Sequence, residues 1–294
     1  MSFPGRDIAA VVTTFDPAPT VVRNLRQIAA QVKMVIVVDD SGRRAAEATI
    51  ESAGLANLVL LVNEQNLGIA NALNRGVAEA AARGCRWVIT LDDDTLVSEH
   101  YVRNVFDFID RHPDVALGMV ACRRQHEGES NAARCRGDEM LFREKRNLIT
   151  SGCVFSVAAY DAVGGFDERL FIDLVDFDFC IRLRKAGRKL IELERVGMMH
   201  KVGASRKVSF LGFALTVYNH APFRLYYQAR NAILFAGKHW RFDPLLCAVL
   251  LLDLVRLPLK AIASEPEKWK RLRYVVAGGL DGLRGRGGRV SCRF

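Results

Sequence analysis

Short apolar runs and segments of helical spacing alternate along the first 120 residues. Ile8–Thr14, Met34–Val38, Leu58–Val62, Trp87–Leu91 and Ala116–Ala121 are rich in Val, Ile and Leu and read as buried strands. Between them, Thr20–Gln31, Arg44–Ala53, Ile69–Arg83 and Ser98–Arg111 carry good helix formers at helical spacing. Such alternation builds βαβ units, so the pattern predicts an α/β, doubly wound and mainly parallel sheet, whose ligands bind beyond the carboxyl ends of the strands. Residues 122–147 turn polar and charged and read as a long loop. Thr150–Val157 reads as a further strand, Tyr160–Val163 as a short helix and Arg188–Met199 as extended chain. From residue 210 the pattern is helical, with expected helices Pro222–Lys238, Pro244–Ala263 and Pro266–Val276. The apolar stretch in the second of these is broken by Asp253, Arg256, Pro258 and Lys260, so it is too short and too charged to span a membrane. It reads either as a core helix or as one lying on a membrane surface.

Composition narrows the class. With 294 residues, half of them hydrophobic and 26% charged, the chain suits one large or two small packed domains and excludes disorder, collagen and coiled coil. The expected division is a sheet domain over residues 1–210 and a helical extension over 211–294. Asp7 precedes the first apolar run, which argues against a signal peptide and for a protein kept inside the cell. Seven cysteines without paired spacing read as reduced thiols. Charge is the uneven feature. Residues 1–200 carry 25 Lys and Arg against 28 Asp and Glu, whereas 201–294 carry 17 against 5, a net +12 that seeks something anionic.

Two acidic clusters follow strands: Asp39-Asp40-Ser41-Gly42 and Asp92-Asp93-Asp94-Thr95. Neither a Walker-type phosphate loop nor a G-x-G-x-x-G turn is present. Consecutive aspartates repel one another, and a divalent cation with oxygen ligands, Mg2+ or Mn2+, relieves that repulsion. Asp92 and Asp94 are the candidate ligands, with helix capping as the competing use. Asp39 is either a polar turn residue or an acceptor for a base or ribose. Asn66-x-Gly68, with Asn71 and Asn74, opens a third strand-to-helix connection where amides and a helix start suit a sugar or diphosphate, with helix capping an equal use for Asn66. Asp173, Asp176 and Asp178 crowd a helix start, where the dipole accounts for one or two carboxylates but not for three beside Phe171, Ile172 and Phe177; a partly apolar pocket there raises a carboxyl pKa and suits a general base. His200 follows an extended segment and is structural or metal-ligating.

Taken in order, eight segments resemble family 2 glycosyltransferases of the GT-A fold, and most closely the bacterial rhamnosyltransferase branch. They are VVTTFDP (11–17), VVDDSG (37–42), NLGIANALNRG (66–76), LDDDT (91–95), SG (151–152), GGFDERLFIDLVDFDFCIRLRKAG (164–187), MHKVG (199–203) and RLYYQARN (224–231). The resemblance implies that Thr13, Thr14 and Asp39 line the nucleotide pocket and that Asn66 and Gly68 border the donor. It makes Asp92 and Asp94 the DXD motif, with Asp92 near ribose and metal, and His200 the completion of the metal shell. Asp176 matches the catalytic base, although Val175 stands where many relatives carry Glu. Ser151, Gly152, Asp173, Arg224, Tyr226, Tyr227 and Arg230 are expected near the acceptor or diphosphate, and the 122–147 loop near the acceptor. The implied activity is inverting, metal-dependent transfer from dTDP-β-L-rhamnose to a glycan or polyprenyl-diphosphate-linked acceptor in surface polysaccharide synthesis. A UDP-sugar donor (galactofuranose, glucose or GlcNAc) is the alternative. The basic C-terminal segment then suits the anionic cytoplasmic face of the inner membrane rather than nucleic acid, for which no RNA-binding sheet motif is present.

Overall fold

The computed structural model describes residues 7–124, 141–200, 205–210, 213–218, 222–264 and 268–290. The core of the expected 122–147 loop therefore lies outside the described residues. The chain divides into two compact units, residues 1–166 with 179–201, and residues 167–178 with 202–294.

Up to residue 200 the chain runs β1 (Ile8–Thr14), α1 (Val21–Ala29), β2 (Met34–Asp39), α2 (Glu47–Glu51), β3 (Leu58–Val62), α3 (Ile69–Ala82), β4 (Trp87–Asp92), β5 (Thr95–Val97), α4 (Tyr101–Arg111), β6 (Leu117–Arg124), β7 (Phe142–Lys145), β8 (Cys153–Ser156), α5 (Val157–Asp161), α6 (Val175–Lys185, whose first turn belongs to the second unit) and β9 (Lys189–His200). The sheet order is β3-β2-β1-β4-β8-β6-β9-β5, with β7 also pairing β9. Strands β1 to β4 form a parallel block, and β8 joins it antiparallel to β4. The fold is thus an α/β sheet of the expected class. Successive residues of β1 bury on opposite faces. Ile8, Ala10 and Val12 meet α1 and α4 through Leu25, Ile28, Val102 and Val105, while Val11 lies under Gly76 of α3. Continuous apolar strands follow from this two-sided burial.

Several boundaries differ from the sequence reading. Helix α2 is much shorter than Arg44–Ala53, because the Asp39 carboxylate ties up the start of that segment by accepting from Ala46 N at 3.1 Å. Thr95–Val97 is a short strand paired antiparallel with β9, and helix α4 starts only at Tyr101.

In the second unit, β10 (Ser205–Phe210) and β11 (Phe213–Tyr218) form an antiparallel hairpin that the sequence pattern did not announce, ahead of the expected helices. Three helices follow: α7 (Pro222–His239), α8 (Pro244–Ser264) and α9 (Lys268–Leu283). Helix α9 runs seven residues beyond the expected Val276. Gly278 and Gly279 do not end it. Gly278 faces the Tyr226 carbonyl of α7 so closely that a Cβ would overlap it, and a Cβ on Gly282 would come within 2.8 Å of the Arg230 carbonyl. These glycines are points of backbone contact between two helices. Among the described residues, no helix is long and apolar enough to cross a membrane.

Candidate active site

Strand register brings the first set of predicted residues together at the carboxyl ends of the parallel block. Thr14 pairs with Asp39, and Thr13 pairs with Val38 on one side and Asp92 on the other. Strand β1 lies between β2 and β4 here, at the point where the strand order reverses direction, the place where open α/β sheets take their ligands. Phe15, 50% exposed immediately after β1, adds an aromatic ring at this mouth; it sits inside the VVTTFDP segment and carries no signal of its own.

The aspartates at these strand ends do different work. Asp39 is fully buried, its two oxygens accepting from Ser41 N (2.9 Å) and Ala46 N (3.1 Å). Through these two bonds its carboxylate closes its own loop. Asp40 reaches across to the next connection. It accepts from Asn63 Nδ2 (2.6 Å), Leu67 N (2.9 Å) and Gly68 N (2.8 Å). Burial raises the Asp40 carboxyl above the usual carboxylate range, while these hydrogen bonds pull it back. Gly68 N is shared with Asn66 Oδ1 at 3.0 Å, and Gly68 sits at φ +90°, a conformation open to glycine alone at the start of α3. Asn74 does not face this mouth: it bonds Tyr160 and the Phe166 backbone.

In the second cluster the middle residue is occupied. Asp93 Oδ2 accepts from Thr14 Oγ1 at 2.8 Å, and its carbonyl accepts from Asn24 Nδ2 at 2.9 Å, which ties β1 and α1 to the turn after β4. Burial, reinforced by the Asp94 charge, lifts the Asp93 carboxyl. Asp92 is half-buried and Asp94 exposed. Both offer hard oxygen donors, the kind that suits Mg2+ or Mn2+. The backbone of His200 pairs with Thr95 opposite this turn, but its side chain lies outside the described residues. Among the described residues, no group of three or more His, Cys, Asp or Glu is arranged to hold a metal.

Ser151 and Gly152 are buried behind the Asp92–Thr95 turn. Ser151, 2% exposed, accepts from Asp92 N at 3.0 Å and is 2.7 Å from Thr95 Oγ1. Gly152 N donates to Thr90 O, Tyr101 OH donates to Gly152 O, and a Cβ at Gly152 would lie 2.6 Å from Met198 Sδ. The pair forms a buried floor that fixes the backbone of the Asp92–Thr95 turn.

The second unit holds the remaining predicted residues around the loop that enters α6. Phe171, Asp173 and Leu174 all lie near φ +64°, the left-handed region that non-glycine residues avoid. Side chains of α7 hold that loop. Arg224 forks onto Asp173, with Nε–Oδ2 at 3.1 Å and Nη2–Oδ1 at 2.8 Å. Burial works against the Arg224 cation, but its pairing with Asp173 prevails and raises its pKa. Arg230, fully buried, donates to the carbonyls of Arg169 (2.9 Å), Leu170 (2.9 Å) and Gly288 (2.5 Å), and lies over the Tyr227 ring at 4.8 Å. Asn231 Nδ2 donates to Leu170, Ile172 and Asp173 carbonyls. Tyr227 stacks on Phe171 with centroids 4.8 Å apart. Tyr226 donates to Asp281 at 2.8 Å, and its hydroxyl is pushed up to about 12, first by burial. Within the RLYYQARN segment, Arg230 and Tyr227 thus hold the 169–173 loop, while Tyr226 pairs with Asp281. Asp176 lies beyond that loop in the first turn of α6, half-buried, with Oδ1 accepting from Phe177 N at 2.9 Å.

The sequence profile of the family described as "Glycosyl transferase family 2" matches residues 9–163, more than half the chain. The chain belongs to glycosyl transferase family 2. This glycosyltransferase is similar along nearly its whole length to the dTDP-rhamnosyl transferase RfbF of Shigella flexneri, 26% identical over 97% of this chain and 99% of that protein. It is also similar to the succinoglycan biosynthesis protein ExoO of Rhizobium meliloti, 32% identical over 35% of this chain and 30% of that one. Among solved structures, S. aureus TarS 1-349 superposes with a TM-score of 0.53 at 15% identity, covering 95% of this chain and 92% of that chain. That likeness is one of fold.

Proposed function

We propose that the chain is an inverting, metal-dependent rhamnosyltransferase that moves L-rhamnose from dTDP-β-L-rhamnose to a hydroxyl of a glycan or polyprenyl-diphosphate-linked saccharide. The observation that carries this reading is the end-to-end similarity to a dTDP-rhamnosyl transferase, over 97% of this chain. The similarity to a succinoglycan biosynthesis protein supports a role in polysaccharide synthesis.

In this reading the nucleotide binds at Thr13 and Thr14, with the Asn66–Gly68 connection bordering the donor. The oxygen donors of Asp92 and Asp94, with His200, would hold Mg2+ or Mn2+, which when bound offsets charge growing on the leaving diphosphate. Asp176 accepts the proton of the acceptor hydroxyl as its oxygen bonds to the anomeric carbon. The bond from that carbon to the diphosphate breaks in the same displacement, and configuration inverts. A positioned base of this kind contributes about 10²–10⁴ in rate.

Calorimetric titration with dTDP and with UDP, each with Mn2+, Mg2+ or EDTA, tests the reading. Metal-dependent preference for dTDP is expected. Preference for UDP overturns the rhamnosyl donor, and retained transfer in Asp176→Asn removes the base.

The reading extends to an anionic membrane surface at the cytoplasmic face. Trp269 (80% exposed), Val276, Leu280 and Leu283 form one exposed apolar stripe along α9, with exposed Lys268, Lys270 and Arg273 beside it. Arg271 of the same helix is buried and takes no part. Binding to anionic vesicles that survives neutralisation of Lys268, Lys270 and Arg273 would count against this extension, since each well-placed cation is worth about 1 kcal/mol at such a surface.

A further inference from the structure

The loop that carries the proposed base begins and ends at aspartates held by one lysine. Lys238 Nζ, at the C-terminal end of α7, lies 2.8 Å from Asp167 Oδ2 and 2.8 Å from Asp178 Oδ1. His239 Nε2 meets that same Asp178 oxygen at 2.7 Å, with neither side chain more than 1% exposed. Asp178 stands two residues after Asp176, and its backbone N–H closes the first turn of α6 onto Leu174 O at 2.9 Å. Whatever fixes Asp178 therefore fixes the turn from which Asp176 projects.

The earlier turns of α7 hold the rest of the segment, through Arg224 on Asp173 and through Arg230 and Asn231 on the 169–173 carbonyls. Three left-handed residues within four positions persist only where the surroundings over-determine them. Here one helix supplies those restraints from end to end.

We propose that α7 is a splint for the catalytic loop, and that Lys238 and His239 are positioning residues for Asp176, acting through Asp178. Neither touches the reacting atoms. Their effect is on aim, to which proton transfer is sensitive: a displacement of about 1 Å at a reacting group costs on the order of 100-fold in rate. This inference rests on the reading of Asp176 as the base.

The experiment uses the full chain with His239→Leu, His239→Gln, Lys238→Met, Asp176→Asn and the double variant His239→Leu/Asp176→Asn. The readouts are kcat and KM for donor and acceptor, dTDP affinity by calorimetry, and amide exchange over residues 168–178. His239→Leu should lower kcat by about 10- to 100-fold, leave dTDP affinity unchanged and speed exchange in the loop. His239→Gln, whose amide nitrogen reaches the place of Nε2, should restore most of the rate. The double variant should be no slower than Asp176→Asn alone. Lys238→Met, at a partly exposed side chain, should give the same pattern at smaller size and stands in if His239→Leu fails to fold.

Full kcat or unchanged loop exchange in His239→Leu overturns the proposal, as does a loss of rate that glutamine does not restore. If Asp176→Asn keeps its turnover, the base assignment fails by itself, and the exchange data still decide whether α7 holds the loop.

Discussion

Replacing Ser151 with alanine separates a residue that touches a ligand from one that shapes the turn beneath it. Ser151 Oγ accepts from Asp92 N at 3.0 Å and lies 2.7 Å from Thr95 Oγ1, with Ser151 and Thr95 each only 2% exposed. Alanine removes the oxygen and leaves the Asp92 amide without this acceptor. An orphaned buried donor costs about 1–3 kcal/mol. In a body the size of the first unit, each kcal/mol shifts Tm by roughly 2–4 °C, so a loss of about 2 kcal/mol should lower Tm by about 4–8 °C. Nucleotide binding, measured calorimetrically well below the melt, should weaken only as far as the Asp92 turn relaxes. The assay is thermal unfolding of nucleotide-free protein beside titration of the same samples. A Tm within about 1 °C of wild type, joined to a loss of about tenfold or more in affinity, would refute the argument and return Ser151 to the ligand.

Three further outcomes follow from the same contacts. Arg230→Met removes a buried donor to three carbonyls and should destabilise the second unit by at least about 3 kcal/mol; urea unfolding with a midpoint equal to wild type would contradict its scaffold role. Burial holds Asp93 above its ordinary value of 3.8, so the folded chain keeps a proton that the unfolded chain has released. As pH rises through that window the wild type loses stability, and Asp93→Asn, which does not titrate, should gain on it; a Tm difference that stays flat or falls as pH is raised from below 3.8 to neutral is the contrary result. Gly278→Val drives a side chain into the Tyr226 backbone and should cost about 1–3 kcal/mol or more, read as a lower urea midpoint, whereas Gly279→Val, at a glycine that faces open space, should be much milder.

What the sequence discloses, and what it hides, follows from the range of each interaction. The parallel block was legible because its strands bury both faces and so read as unbroken apolar runs, each stopped by a polar cluster. Their register then places Thr13, Thr14 and Asp92 at one mouth. Partners distant in sequence left no such trace. Asp178 and His239 are 61 residues apart, and nothing in Phe171, Asp173 or Leu174 announces a left-handed backbone. Gly278-Gly279 carries the signal of a helix end, yet helix packing gives it another use. The arginines and tyrosines of RLYYQARN were visible as polar groups among apolar ones. Such groups need partners when buried, but the pattern does not say whether the partner is a diphosphate or a carbonyl. For Arg230 it is three carbonyls.

The same distinction reshapes the argument from repulsion among consecutive aspartates. Five carboxylates at two strand ends suggest a cation that neutralises them, but Asp39, Asp40 and Asp93 accept hydrogen bonds from within the protein. Asp39 and Asp40 accept five hydrogen bonds between them, four of these from backbone amides, and Asp93 accepts from the Thr14 hydroxyl. Donors of this kind stabilise an ionised carboxylate without a metal. Repulsion among bare carboxylates is therefore not what singles out Asp92 and Asp94; they stand out by the DXD spacing and by flanking the residue fixed by Thr14. Between them, the Asp93 anchor and the Ser151 contact to the Asp92 amide hold the turn from two sides. Rigid support of this sort is what a two-carboxylate site requires, because Mg2+ tolerates little departure from octahedral geometry and two side chains cannot correct a mobile backbone.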